Sequence, residues 1–263
     1  MTKWIIEQFG KKPKLNKPVL IEGLPGIGNV GKVVVDFMID ELKAEKLYEI
    51  CSYSFPHSVF VNEENLVELP KLEIYYKKLK SCDILLLAGD IQPIDEISSY
   101  EFSEKLLNIA QDFKTKEIIT LGGIGLNDIP KKPKVFCTAN SKEIIKRYKH
   151  KLLNEKLYGI VGPIVGISGL LLGLAAKRKI QAIALLSETY GHPMYLGVKG
   201  AREILKILND KLGLNLEIDK LEKEIDEVES ELIKKTKDLE DVSRKTALNK
   251  LKGKFGGEVS YIG

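Results

Sequence analysis

The chain has 263 residues, 44% of them hydrophobic and 30% charged, a balance that excludes a disordered polypeptide and leaves room for one large domain with an appendage. Its 41 basic and 37 acidic residues leave a net charge of +4. With no arginine-rich block interleaved with aromatics, nucleic acid is not an expected partner. Cys51, Cys82 and Cys137 are isolated, without Cys-x-x-Cys or a histidine cluster, which points to buried thiols in a reducing cytoplasm and to no metal site.

The start, Met1-Thr-Lys-Trp-Ile-Ile-Glu, lacks the apolar core of a secretory signal. Beyond it, short apolar runs alternate with amphipathic ones. Val19–Ile21 reads as a strand, followed by glycines and a helix over Gly31–Leu42, then a strand over Leu47–Tyr53. Leu66 to Tyr76, with Pro70 inside, reads as a hairpin extending the sheet, its second strand over Leu72–Tyr76. Next come a strand at Ile84–Leu87, a helix at Ile94–Asp112, strands at Glu117–Leu121 and Val135–Thr138, and a helix at Lys142–Tyr148. A strand at Ile160–Val161, a helix at Leu170–Lys179, a strand at Ile180–Leu186 and a helix at Ala201–Leu212 complete the series. Continuous apolar character in Ile84–Leu87 and Ile180–Leu186 implies strands covered on both faces. The expected fold is therefore α/β, a mostly parallel sheet flanked by helices. The uncharged run from Leu157 to Ala176 is long enough to span a bilayer. Glycines and Pro163 break it, so a strand, a turn and a buried helix are expected there, and no membrane.

Gly213 stops the last helix, and the sequence then changes character. Ile218, Leu221, Ile225, Val228, Leu232, Leu239 and Val242 fall on a and d heptad positions, interrupted by Lys235. Either a coiled coil or a helix packed on its own domain explains them. A glycine-containing stretch ends in Val259-Ser-Tyr261-Ile262-Gly263. Three segments are expected: an α/β domain over 1–215, a helical extension over 216–250 and a flexible tail over 251–263.

Gly23-Leu-Pro-Gly26-Ile-Gly28-Asn-Val-Gly31-Lys32 imitates two nucleotide sites, Gly26-x-Gly28-x-x-Gly31 and Gly26-x4-Gly31-Lys32. Both fail at the residue that carries the chemistry. Val33 stands where a phosphate loop needs Ser or Thr, and no acid closes the following strand, where a dinucleotide site wants one. The expectation is a tight strand-to-helix turn whose glycines permit close packing. His57, His150 and His192 have no metal-binding spacing. Ser168, with glycines at −2 and +1, lacks nucleophile-elbow spacing and reads as a helix N-cap. Glu188 and His192 follow a buried strand, where ligands gather in open α/β sheets, although packing and turn chemistry require such a polar loop in any case.

Five segments carry a family resemblance. They are the glycine turn Gly23–Gly31, Gly122-Gly-Ile-Gly125, Gly166-Ile-Ser-Gly-Leu-Leu-Leu-Gly173, Leu185-Leu-Ser-Glu188-Thr-Tyr-Gly191, and Gly200-Ala-Arg-Glu-Ile-Leu-Lys-Ile-Leu. In this order, over roughly residues 15 to 225, they resemble the proteasome assembly chaperone 2 (PAC2) family in its archaeal branch. The resemblance implies a phosphorylase-like α/β domain without demonstrated catalysis and without cofactor. It implies homo-oligomers that bind the α-subunit ring of the 20S proteasome, as assembly chaperone or ATP-independent activator. It also implies a binding element at the C-terminus, whose carboxylate pairs with a Lys between α subunits while a penultimate Tyr orders the gate. Here Tyr261 is third from the end, before Ile262 and Gly263, so the pattern is shifted by one residue. Val259, Tyr261, Ile262 and Gly263 are the expected partner-binding residues. The alternatives are a nucleoside- or nucleotide-binding phosphorylase-like enzyme using the glycine turn, and a scaffold whose heptads hold another helical partner.

Overall fold

The computed structural model describes residues 4–62, 64–154, 162–192 and 195–218. Backbone contacts divide the chain into Met1–Asp219 and Lys220–Gly263, and the elements below all belong to the first unit. The heptad run beyond Ile218, the tail 251–263 and the expected strand Ile160–Val161 lie outside the described residues.

In chain order the elements are β1 (Trp4–Gln8), β2 (Val19–Glu22), α1 (Val30–Leu42), β3 (Glu45–Ser52), β4 (Phe60–Val61), β5 (Val67–Glu68), β6 (Leu72–Lys77), β7 (Ile84–Gly89), α2 (Glu96–Asp112), β8 (Glu117–Leu126), β9 (Val135–Ala139), α3 (Lys142–Tyr148), β10 (Leu153–Asn154), α4 (Ile167–Lys177), β11 (Gln181–Tyr190) and α5 (Val198–Leu212). Among the described residues, nine strands form one sheet in the order β1-β3-β6-β7-β2-β8-β11-β9-β10. Its centre, β7-β2-β8-β11, is parallel throughout. Its flanks are not: β1 on β3, β3 on β6, β6 on β7 and β9 on β11 all pair antiparallel. The expected mostly parallel sheet is thus a mixed one. The physical reason is connection length, since only residues 78–83 separate β6 from β7, too few for the crossover that parallel pairing demands.

The hairpin reading of Leu66–Tyr76 is also corrected. Val67 and Glu68 pair with Phe60 and Val61 in a separate two-stranded sheet, and only β6 joins the main one. The edge strand β1 was not expected at all. It is held by Trp4, whose ring stacks on Phe102 at 5.1 Å and whose indole N–H donates to Glu101.

Helices α2 and α4 pack against each other on one face of the sheet, and α1 and α5 on the other. Alternation along β2 divides its side chains between the two layers. Leu20 joins Leu85, Phe102 and Leu171 in one apolar cluster, while Val19 and Ile21 are buried opposite. The ends of α3 and α5 are set locally: the Ser141 hydroxyl accepts from the Ile144 N–H, and Gly213 closes α5 at φ 62°. Among the described residues no helix is long and apolar enough to cross a membrane. The three cysteines form no disulfide among the described residues and are half-buried, more accessible than the buried thiols expected.

Asn140 ties β9 to its neighbours. Its Nδ2 donates to the Ile180 carbonyl at 2.9 Å and the Leu172 carbonyl at 3.3 Å, while its Oδ1 accepts from the Ala182 N–H at 2.9 Å. Asn140→Ala leaves those groups without partners and should cost about 2 kcal/mol. The expected readout is a lower urea midpoint at an unchanged m-value.

Candidate functional site

Strand β2 ends at the switch point of the parallel centre, where the following helix leaves toward one face and the helix after β7 leaves toward the other. In open α/β sheets that crevice is where ligands bind. Here the glycines of the turn are engaged by the chain's own packing. After Glu22 the backbone turns through Gly23–Gly26 into a single 3-10 turn, Ile27–Asn29, and then into α1. A Cβ on Gly23 would collide with the Gly31 carbonyl oxygen, and one on Gly31 would lie 2.6 Å from the Leu121 carbonyl oxygen. Gly28, at φ 61°, backs onto the Thr189 side chain. These glycines admit neighbouring backbone and side chains, as expected of a tight strand-to-helix turn. Val30 and Gly31, the first residues of α1, are buried. Lys32 turns away to the Gly89 carbonyl (3.2 Å) and the Asp36 carboxylate (3.0 Å).

Gln92, in the loop after β7, straps the turn in place. Its Nε2 donates to the Pro25 carbonyl at 2.7 Å, and its Oε1 accepts from the Ile167 N–H at 3.3 Å. Beneath lies Glu22, 1% exposed. Its carboxylate accepts from the Ser168 hydroxyl at 2.8 Å and from the Leu24 N–H at 3.1 Å. Burial pushes the Glu22 carboxyl up to about 7, against the opposing pull of those hydrogen bonds. Ser168 is therefore not the N-cap expected of it. Gly166 occupies the cap of α4 and no side chain caps there. The reason is that the Ser168 hydroxyl is consumed by the carboxylate across the crevice. Glu22 itself went unnoticed in the sequence, although an acid closing the apolar run Val19-Leu20-Ile21 was a readable signal.

Glu188 and His192 do not converge. The Glu188 carboxylate accepts from the Lys134 N–H at 2.9 Å and so pins the loop between β8 and β9, while the His192 ring stacks on Tyr190. At the opposite end of the sheet, a cavity of about 300 Å³ is lined by Lys116, Glu117, Arg147 and Tyr148 among others. There Glu117 is buried, bonded by the Tyr148 hydroxyl at 2.8 Å and ion-paired with Arg147 at 2.7 Å. No group of three or more His, Cys, Asp or Glu side chains among the described residues is placed to hold a metal. The expected partner-binding residues Val259, Tyr261, Ile262 and Gly263 lie outside the described residues.

The PAC2 family profile matches residues 20–235, and the chain belongs to that family. It is 30% identical over 263 residues to the uncharacterized protein MJ1210 of Methanocaldococcus jannaschii, covering 100% of this chain and 99% of the other. Among solved structures, it is similar to PbaB of Pyrococcus furiosus, described as an archaeal proteasome activator. That match has 33% identity and a TM-score of 0.81, with 89% of this chain and 99% of PbaB covered. PbaA of Pyrococcus furiosus, described as an archaeal homolog of proteasome-assembly chaperone, shares the fold at 24% identity and a TM-score of 0.71, with 93% and 97% covered.

Two outcomes test this account of the crevice. Gly31→Ala should cost about 3 kcal/mol or abolish folding, because its Cβ meets backbone. Gly26→Ala, with open space among the described residues around the new Cβ, should change stability by less than about 0.5 kcal/mol. Thermal melts of the two variants separate packing glycines from glycines kept for a ligand. The second outcome concerns Glu22. Its folded carboxyl keeps a proton up to pH about 7, whereas the unfolded one releases it near 4.5. Between those values the folded state holds more protons, so this group's contribution falls as pH rises, by up to about 3 kcal/mol, and is level above. Glu22→Gln should lose that slope, read as a smaller drop in melting temperature from pH 5 to pH 8 than in the wild type.

Proposed function

We propose that this protein is a cytoplasmic, non-enzymatic homo-oligomer that docks on the α-subunit ring of the 20S proteasome and acts there as an ATP-independent activator or assembly chaperone. The observation that carries the reading is membership of the PAC2 family over residues 20–235, joined to the 33% identity with a structure described as a proteasome activator. The packed turn supports it, since the glycines of the nucleotide-like turn are taken up by backbone contacts. The domain retains the phosphorylase-like architecture that the family resemblance implies, put to a binding use.

In this reading the α/β domain, 1–215, is the oligomerising body, 216–250 is a helical extension, and 251–263 is a flexible tail that reaches the ring. Val259, Tyr261, Ile262 and Gly263 make the contact, with the terminal carboxylate captured by a basic pocket. Residues beyond Val242 can stretch at most about 70 Å, and a flexible chain of that length spans nearer 25 Å. An oligomer presenting several tails makes each later contact intramolecular, so individually weak tails suffice. Capture of a carboxylate by a basic pocket also weakens with added salt.

The test is binding of the full chain to purified 20S proteasome, with and without residues 259–263. Deletion should weaken binding at least about tenfold, and the wild-type affinity should fall as salt rises. Undiminished binding by the truncated chain would remove the tail mechanism. Absence of binding by both forms would remove the proteasome as partner.

A further inference from the structure

Strands β4 and β5 form a finger that stands apart from the main sheet and has apolar sides. Val61, Val67 and Leu69 are 64%, 69% and 70% exposed, and Val59, Phe60 and Leu66 are exposed as well. A hairpin of two residues per strand does not hold itself together in water. This one is clasped at its tip instead. Asn62 Oδ1 accepts from the N–H groups of Glu64 and Leu66, and Asn62 Nδ2 donates to the Glu68 carboxylate at 2.9 Å. The finger is therefore set in shape before it meets anything, the condition under which apolar surface binds with little ordering cost. Val61 pairs directly with Val67 across the strands, so these two exposed side chains share one face of the finger.

The finger also carries acidic side chains, Glu68, which is taken up by Asn62 and by an ion pair with Lys71 at 3.7 Å, and Glu64 at the tip, which is the charge it presents to a partner. Its complement lies on the same chain. The loop joining β8 to β9 exposes Lys131, Lys132 and Lys134 beside the exposed Ile129. Pro130 and Pro133 stiffen this loop, and Glu188 pins it through the Lys134 N–H. Finger and loop both open at the end of the sheet where β2 ends, but they rise from opposite flanks. The finger joins β3 to β6 and the loop joins β8 to β9. At the usual strand spacing their bases are about 20 Å apart, and both remain exposed within one chain.

The geometry points to a head-to-tail contact between two copies of this chain, the β4–β5 finger of one seated on the Ile129–Lys134 loop of the next. Such a contact is heterologous, uses a different patch on each partner, and closes into a ring when the rotation allows. The inference rests on the homo-oligomer reading above and specifies the surfaces that make it.

The test measures self-association of the full chain by light scattering after size exclusion, with circular dichroism and melting temperature as controls of folding. Val61→Asp with Val67→Asp, both on exposed positions, should weaken association at least about tenfold while the melt of the protomer is kept. Glu64→Lys, and separately Lys131→Glu with Lys132→Glu, should each weaken it by about threefold to tenfold. These three changes in one chain should restore much of the association, because the charges are exchanged across the contact. Unchanged association of the Val61→Asp, Val67→Asp variant would overturn the finger as an interface and leave the oligomer reading standing. Dissociation by that variant without any effect of Lys131→Glu, Lys132→Glu would overturn the loop as its seat and favour finger-to-finger pairing. A wild-type chain monomeric at every concentration would remove the oligomer reading and this contact together.

Discussion

The close approach of α1 to the end of β2 is the constraint on which the rest of the structure depends. Strand β2 lies between two parallel neighbours, β7 and β8, and its chain must leave at once toward one face so that α1 can pack on the sheet beside α5. That turn works only because Gly23 and Gly31 lie backbone against backbone, with Gly31 pressed on the Leu121 carbonyl. With side chains there, α1 would be lifted away, and the wholly buried Val30, Val34, Val35 and Met38 would lose their seats. The glycines at the place where α/β enzymes hold ligands are thus engaged by the chain's own packing. Glu22, buried beneath the turn, is an acceptor for the Ser168 hydroxyl and the Leu24 N–H. The carboxylate thus joins the start of α4 to the end of β2, doing structural work at a place where other sheets do chemistry.

The rim of that end is apolar. Ile27 on the turn, Ile94 and Ile97 at the start of α2, Val165 before α4 and the finger all expose large apolar side chains there. Scattered singly, exposed apolar residues need no explanation, but a concentration at one end of a fold marks a contact surface. An apolar rim of this kind is suited to binding protein.

Much of this was legible in the sequence. The continuous apolar runs at Ile84–Leu87 and Ile180–Leu186 foretold strands covered on both faces, and β7 and β11 are two of the four parallel central strands. The helix over Lys142–Tyr148 and the stop at Gly213 were readable because their signals, a capping serine and a left-handed glycine, act within a few residues. What escaped was decided at long range. An apolar run reports burial but not direction, and direction follows from connection lengths and partners, so the antiparallel flanks were not foreseen. Strand β1 exists as a strand only because β3 offers it an edge. The role of Ser168 depends on a carboxylate 146 residues away along the chain. The glycine pattern was the hardest to judge. A glycine that admits a phosphate and one that admits a carbonyl oxygen look alike in sequence, and only the atoms around them tell the two apart.

The mixed topology is also what gives this end of the molecule two distinct flanks. In a parallel sheet each strand is followed by a crossover that carries the chain back along a face, and no hairpin projects beyond the strand ends. Here β3 and β6 run in opposite directions, as do β8 and β9, and both connections open where β2 ends. One became an acidic, apolar finger and the other a stiff basic loop. The parallel centre sets the position, while the antiparallel flanks supply unlike surfaces on either side of it. Unlike, charge-complementary surfaces on one chain favour pairing with the opposite flank of a neighbour over pairing of like with like, because only that flank satisfies both the charge and the apolar area.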